Sequence, residues 1–170
     1  LPAIELPFLC YVHEESIRLG NGLQTLEFAA GFGYVSWKVP LAWSKVGSHI
    51  VNDLSERGIQ EIPHVLHSRL PENLRSAVKL DCGDCLTILD RHPRLEGNVH
   101  VLYVQNLEHF FNPNQHQSFL RVIGRLLAPG GRAFLSSHTF QFGADDAHPL
   151  LRLYKSRKDA GDVYAGFAGY

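Results

Sequence analysis

Short apolar runs alternate along the chain with longer segments in which apolar residues recur every three or four positions. Runs of four to eight residues are typical of buried strands, and the wider spacing is typical of helices that cover a sheet. The runs predict strands at residues 23–28, 48–54, 78–82, 99–104 and 132–137, with a sixth at 163–167. Such alternation predicts an α/β fold with a mostly parallel sheet flanked by helices.

Helices are predicted in the segments between these strands. The clearest covers residues 115–127, whose apolar side chains share one side, and the sequence APGG at 128–131 ends it. Others are predicted at 13–19, 34–46, 85–91 and 149–158, with Pro40 interrupting the second, Ser55 capping another and Pro71 opening one more. Residues 59–70 are ambiguous. The whole pattern is that of a doubly wound, Rossmann-like sheet.

The length of 170 residues predicts a single domain. We divide the chain into an N-terminal segment with a helix, residues 1–22, and the domain proper, residues 23–170. The chain has no Met and stops soon after the sixth predicted strand. We therefore expect a truncated domain whose sheet lacks the last strand.

Charge and cysteine content exclude several classes of protein. The formal net charge is −1 and the basic residues are scattered, so no nucleic-acid patch is indicated. The three cysteines are an odd and low number, which favours a reducing compartment, and we expect the cytoplasm. No apolar stretch approaches 18 residues, so no membrane span is expected.

Candidate chemistry begins where the first predicted strand ends. Glu27 stands at that end, and Ala29, Gly31 and Gly33 follow in a tight turn. Ligands of open α/β sheets bind outside the carboxyl ends of the strands, where small residues let the backbone approach them. Taken alone, this turn is a weak signal, because an ordinary tight connection between a strand and a helix has the same residues.

Two further acidic residues stand at the ends of the next two strands. Asp53 closes the second strand, where a carboxylate can accept hydrogen bonds from both hydroxyls of a ribose. Gly83 and Asp84 close the third, where a carboxylate can accept from an exocyclic amine. Because adjacent parallel strands end at the same edge, we expect these carboxylates to face one ligand.

These motifs resemble those of the class I S-adenosylmethionine-dependent methyltransferases, and the resemblance covers about residues 23–140. LEFAAGFG at 26–33 is similar to the family's acidic residue leading into GxGxG, with Ala29 in place of the first glycine. The segment LYVQNLEHF at 102–110 resembles the fourth strand and its loop. The most specific match is FLRVIGRLLAPGGR at 119–132, which is similar to the family's helix ending in RxLxPGGx.

The resemblance implies S-adenosylmethionine as the cofactor. Glu27 would act near the methionine amino group, Asp53 would bind the ribose hydroxyls, and Asp84 would bind the adenine amine. The other implied contacts are Ala29, Gly31, Gly33, Leu54, Gly83, the Cys85 backbone, Gln105 and Asn106.

The resemblance also implies a reaction. The sulfonium makes the methyl group electrophilic, so the protein's task is to position an O, N or C nucleophile of an acceptor, which remains unidentified, and to remove its proton where needed. His109 is the candidate base, because imidazole titrates near neutrality. The alternative for His109 is local packing or capping.

Three other interpretations stay open. Cys82 and Cys85 form a CxxC pair, and His64 and His67 form an HxxH pair, which together could bind zinc, although we expect no metal because Gly83 and Asp84 fit the cofactor pattern. A nicotinamide dehydrogenase would use the same sheet. A non-catalytic relative would keep the fold, and Ala29 favours it.

Overall fold

The computed structural model describes residues 5–105, 107, 110–137, 152–155 and 163–168. The strands are β1 Gln24–Phe28, β2 Ser48–Asp53, β3 Val78–Cys82, β4 Val99–Gln105, β5 Leu127–Ser137, β6 Arg152–Lys155 and β7 Val163–Ala168. The helices are α1 Glu5–Leu19, α2 Lys38–Ala42, α3 Glu56–Arg69, α4 Glu72–Arg75, α5 Ile88–Arg91 and α6 Pro113–Leu126. None of the described helices is long and apolar enough to cross a membrane.

The seven strands form one sheet in the order β3-β2-β1-β4-β5-β7-β6. Strands β1 to β5 pair in parallel, whereas β7 pairs antiparallel with both β5 and β6. The order reverses between β1 and β4, so the chain leaves a crevice beyond the carboxyl ends of these two strands.

Helices cover both faces of the sheet. Leu26 and Leu102 point to the face that is covered by α5 and α6, where Phe119 and Ile123 are fully buried. The opposite face is covered by α1, α2 and α3. There the ring of Phe8 lies 4.5 Å from that of Tyr103. The predicted doubly wound α/β fold is therefore confirmed.

The strand predictions are confirmed for β1 to β5. The segment 59–70, which the sequence left ambiguous, is helical as far as Arg69 and belongs to α3. Ser55 caps α3 as predicted, its side chain accepting from the Gly58 N–H at 3.1 Å. The helix predicted at 34–46 is confined to Lys38–Ala42, because residues 31–37 form successive turns.

Two predictions near the carboxyl end are wrong. Residues 152–155, expected within a helix, form the strand β6, because β7 supplies them with an antiparallel pairing partner. The sheet was expected to lack its last strand, yet it has seven strands, and β6 is the one that was not predicted. The strand predicted at 163–167 is confirmed, since residues 163–168 pair with β5 over six positions as the inner strand of an antiparallel hairpin.

Candidate cofactor cleft

A cleft of about 680 Å³ opens at the carboxyl ends of β1, β2 and β3 and is bordered by Leu107, Phe110 and Phe111, which follow β4 in the chain. Turns after three parallel strands meet here because those strands end at the same edge. The lining consists of Ala29, Gly31, Asn52, Asp53, Leu54, Ser55, Gly83, Asp84, Cys85, Leu107, Phe110, Phe111 and Gln115. Seven residues predicted from the sequence are therefore brought together: Ala29, Gly31, Asp53, Leu54, Gly83, Asp84 and Cys85.

Asp53 ties together the two loops on either side of the cleft. One carboxylate oxygen accepts from the Gly31 N–H and the other from the Ser55 N–H, both at 2.7 Å. Each carboxylate oxygen carries two lone pairs, so Asp53 can still accept from a ligand. The residue thus sets the shape of the cleft and also offers it negative charge.

The loop after β1 follows a left-handed backbone at three positions. The φ angles are 55° at Ala29, 56° at Gly31 and 76° at Gly33. At Gly33 a Cβ would also lie 3.0 Å from the Ile62 side chain, so this glycine is required by both conformation and space. Gly33 does not line the cleft; it lets the loop pack on α3.

Glu27 lies buried beneath this loop and is not part of the cleft lining. Its carboxylate accepts from the Ser36 hydroxyl at 2.8 Å and lies 3.4 Å from the Nε2 of His49. Strand alternation explains the position, because Glu27 shares the α1 and α2 face of β1 with Thr25, whose hydroxyl lies 2.8 Å from His49. Glu27 therefore acts on the loop through Ser36.

The turn after β3 presents an exposed carboxylate and a buried thiol. Asp84 caps the 3-10 helix Cys85–Thr87 by accepting from the Leu86 N–H at 2.8 Å. Burial, together with the Asp84 carboxylate, raises the pKa of Cys85 to about 12. The Cys85 thiol therefore stays protonated at neutral pH, unlike a reactive or metal-binding thiolate.

A cluster of charged side chains supports the turn after β3. Arg91 donates to both oxygens of Asp81, at 3.0 and 2.8 Å, and to the carbonyl of Asp84 at 3.1 Å. A Cβ on Gly83 would lie 2.6 Å from the Arg91 guanidinium carbon, so a side chain there would displace the guanidinium from its present position. His92 and Asn52 also bond to Asp81, at 2.8 and 2.6 Å.

Six lining residues were not predicted: Asn52, Ser55, Leu107, Phe110, Phe111 and Gln115. Asn52 has a signal in the sequence, a polar residue next to Asp53 within an apolar strand, but its bonds to Asp81 and the Gly83 carbonyl join distant segments. Phe110 is 77% exposed at the rim. The cleft thus combines hydrogen-bond acceptors on one side with apolar side chains on the other, which suits a flat ring rich in donors.

The remaining predicted residues are Gln105, Asn106 and His109. The backbone of Gln105 ends β4, and Asn106 and His109 lie outside the described residues. Within the described parts of the chain, no three His, Cys, Asp or Glu side chains gather as a metal site. His64 and His67 are exposed on α3.

Several solved structures are similar to this chain in fold. Magnesium protoporphyrin IX methyltransferase from Synechocystis PCC 6803, solved with bound S-adenosylmethionine, aligns with a TM-score of 0.71 over 98% of this chain and 78% of its own, at 12% identity. TrmN from Thermus thermophilus aligns with a TM-score of 0.70 over 95% of this chain and 48% of its own, at 16% identity. The chain has the class I methyltransferase fold.

The same fold occurs in a protein described by another reaction. The [4+2]-cyclase SpnF aligns with a TM-score of 0.59 over 77% of this chain and 44% of its own, at 17% identity. The chain spans about half the length of most of the solved structures that it matches. No protein-family model and no curated protein matches it. The class I fold is shared at low identity, so the reaction is a separate question.

Proposed function

We propose that this chain binds S-adenosylmethionine and transfers its methyl group to an O, N or C nucleophile of an acceptor, which the sequence does not identify. The observation that carries the proposal is the meeting of Asp53, Asp84 and the loop at 29–33 around one cleft. Asp53 would accept from the ribose hydroxyls and Asp84 from the adenine amine, with Leu54 and Cys85 beside the ring. Glu27 would act indirectly, by holding the loop through Ser36.

The shape of the loop favours S-adenosylmethionine over a dinucleotide. Dinucleotides place their pyrophosphate at the N-terminus of the helix that directly follows the glycine-rich turn. Here turns occupy residues 31–37, and α2 begins only at Lys38. The cleft lining has two carboxylates and no Lys or Arg among its described residues, which suits a cationic sulfonium ligand better than a pyrophosphate.

The chemistry supplied by the bound cofactor is an electrophilic methyl group. The chain must hold the acceptor in line with it, exclude water and take up a proton where the nucleophile carries one. Apolar side chains at the mouth, Leu107, Phe110 and Phe111, support water exclusion. We propose His109 as the base, which predicts that His109→Ala lowers turnover in a pH-dependent way, whereas unchanged turnover at every pH would exclude it.

Calorimetric titration tests cofactor binding directly. S-adenosylmethionine and S-adenosylhomocysteine should each bind at one site, and NAD should not bind. No heat with either adenosyl ligand on the folded chain would overturn the proposal, and binding of NAD alone would favour a dehydrogenase.

Asp53→Ala tests the residue on which the cleft depends most. The variant should bind S-adenosylhomocysteine at least about ten-fold more weakly, because it loses hydrogen bonds to a charged acceptor and frees the loop at Gly31. Asp90→Ala, which removes an exposed carboxylate from α5, is the matched control and should keep the wild-type affinity. Equal affinities for both variants would remove Asp53 from the site.

A second candidate is a domain that binds the cofactor without transferring the methyl group. Ala29 favours it, because a side chain and a left-handed backbone stand where the family has glycine. Binding of S-adenosylhomocysteine without methyl transfer to any of a panel of acceptors would support this candidate. The three cysteines are free thiols, which supports a reducing compartment such as the cytoplasm for either candidate.

A further inference from the structure

A second cavity, of about 450 Å³, lies at the opposite ends of the strands from the cofactor cleft. Its floor is the start of the sheet, where Gln24 is the first residue of β1, and Lys79 and His100 are the second residues of β3 and β4. Its wall is the segment after α5, including His92 and Arg94. We call it the amino-end cavity.

The amino-end cavity is lined by five basic or imidazole side chains, and none of its lining residues is acidic. Arg91 and His92 are already bonded to Asp81, which balances part of their charge. Lys79 and Arg94 have no acidic partner among the described residues. Two cationic side chains are therefore left without a counter-charge around one concave space.

His100 adds a neutral donor to these two cations. Its Nδ1 accepts from the Gln24 N–H at 3.1 Å, which fixes the ring proton on Nε2. Burial lowers the pKa of His100, so the ring stays neutral at pH 7 and offers Nε2–H as a donor. The cavity thus combines two full positive charges with an oriented neutral donor.

This combination points to one class of ligand. A phosphate monoester carries close to two negative charges and three oxygen acceptors, which two cations and further donors would balance. Lys binds phosphate as a point charge, and the Arg fork binds two of its oxygens at once. The volume lies in the range of small-molecule sites, which runs from about 300 to 1,000 Å³.

We propose that the amino-end cavity binds a small phosphate monoester, of about the size of a sugar phosphate or mononucleotide, through Lys79, Arg94 and His100. A nucleic acid fits these observations less well, because the net charge of the chain is −1 and its other basic residues are scattered. The site is separate from the cofactor cleft and does not depend on the chain being a methyltransferase.

Titration of the folded chain with ribose 5-phosphate tests the proposal, with ribose and inorganic phosphate as comparison ligands. Ribose 5-phosphate should bind at one saturable site, inorganic phosphate more weakly, and ribose not at all. Lys79→Gln and Arg94→Gln should each weaken the binding of ribose 5-phosphate about ten-fold or more. Arg121→Gln, which removes an exposed charge from α6, should leave it unchanged.

Three results would overturn the proposal. The first is no saturable binding of ribose 5-phosphate up to about 10 mM, which corresponds to a negligible affinity. The second is an equal loss in all three variants, which would mean a diffuse attraction by the scattered basic side chains and no defined site. The third is a short single-stranded RNA that binds more tightly than ribose 5-phosphate and loses affinity steeply with salt. Thermal unfolding of each variant confirms that it is folded.

Discussion

At the scale of single residues, Ala29 adopts a backbone conformation that alanine disfavours. It is the one non-glycine residue of the described chain with a positive φ, 55°, in the loop that borders the cofactor cleft. A side chain in this conformation costs about 1–2 kcal/mol, which glycine avoids. This conformation is held in place because Asp53 accepts from the N–H of Gly31, two residues on, and the Ala30 N–H donates to the Asn52 carbonyl.

Ala29→Gly should therefore stabilise the chain. We expect a gain of about 0.5–1 kcal/mol in the free energy of unfolding, since relief of the strain exceeds the extra chain entropy of glycine. Ala30→Gly is the matched control, because Ala30 is buried and its φ is not positive. It should lose about 1 kcal/mol. Urea unfolding measures both, and a loss at both positions would contradict the argument.

The sequence predicts site residues well where strand periodicity decides their place. Asp53 and Asp84 meet at the cleft because adjacent parallel strands end at one edge. Glu27 also stands near a strand end, but it is one of the side chains on the buried face, so it reaches the site only through Ser36. The Asp81–Arg91 pair could not be predicted, because neither the spacing nor the pattern of these residues indicates that they touch.

At the scale of elements, helix ends carry local signals, whereas strand pairing depends on distant partners. Asn112 and Pro113 form a recognisable start signal for α6, although apolar periodicity predicts this helix only from residue 115. The segment Arg152–Lys155 is short, and its four residues fit a helix as well as a strand. Only the partner strand β7 decides between them, because strand preference depends on the neighbours that a strand meets.

The start of α6 offers a test of element stability. Asn112 accepts from the Gln115 N–H at 2.9 Å, and the Gln115 side chain accepts in return from the Asn112 N–H at 3.0 Å. Asn112→Ala should lower the free energy of unfolding by about 1 kcal/mol, as the loss of a cap does. Asn114→Ala makes the same change inside the first turn, where alanine favours the helix, and should not destabilise the chain. Equal losses would mean that the cap contributes nothing.

At the scale of the whole molecule, Asp81 joins parts that are far apart in sequence. It bonds to Asn52 of β2, Arg91 of α5 and His92, and Arg91 in turn supports the Asp84 turn at the cofactor cleft. Arg91 and His92 also line the amino-end cavity. Asp81 therefore bonds to residues on both sides, since Asn52 lines the cofactor cleft and Arg91 and His92 line the amino-end cavity.

The same residue makes stability depend on pH in the acid range. Burial raises the pKa of Asp81, but the hydrogen bonds from Arg91, His92 and Asn52 outweigh it and lower the pKa to about 2. A carboxyl whose pKa is lower in the folded chain than in the unfolded chain stabilises the fold above its unfolded pKa, which is about 3.9. That contribution, about 1–2 kcal/mol after allowing for the partly exposed Arg91 and His92, is lost as the pH falls from about 4 to about 2.

Asp81→Asn should remove this contribution while keeping the size of the side chain. Urea unfolding of both proteins at a series of pH values measures the difference between their free energies of unfolding. We expect a difference of about 1–2 kcal/mol above pH 5 that shrinks toward zero as the pH falls below about 4, because wild-type Asp81 is then progressively protonated. Asp90→Asn removes an exposed aspartate from α5, next to Arg91, and should change stability by less than about 0.5 kcal/mol at neutral pH. A difference for Asp81→Asn that stays constant down to pH 2.5 would show that the amide has only disturbed packing, and that the carboxylate charge does not stabilise the cluster of Asn52, Arg91 and His92 around it.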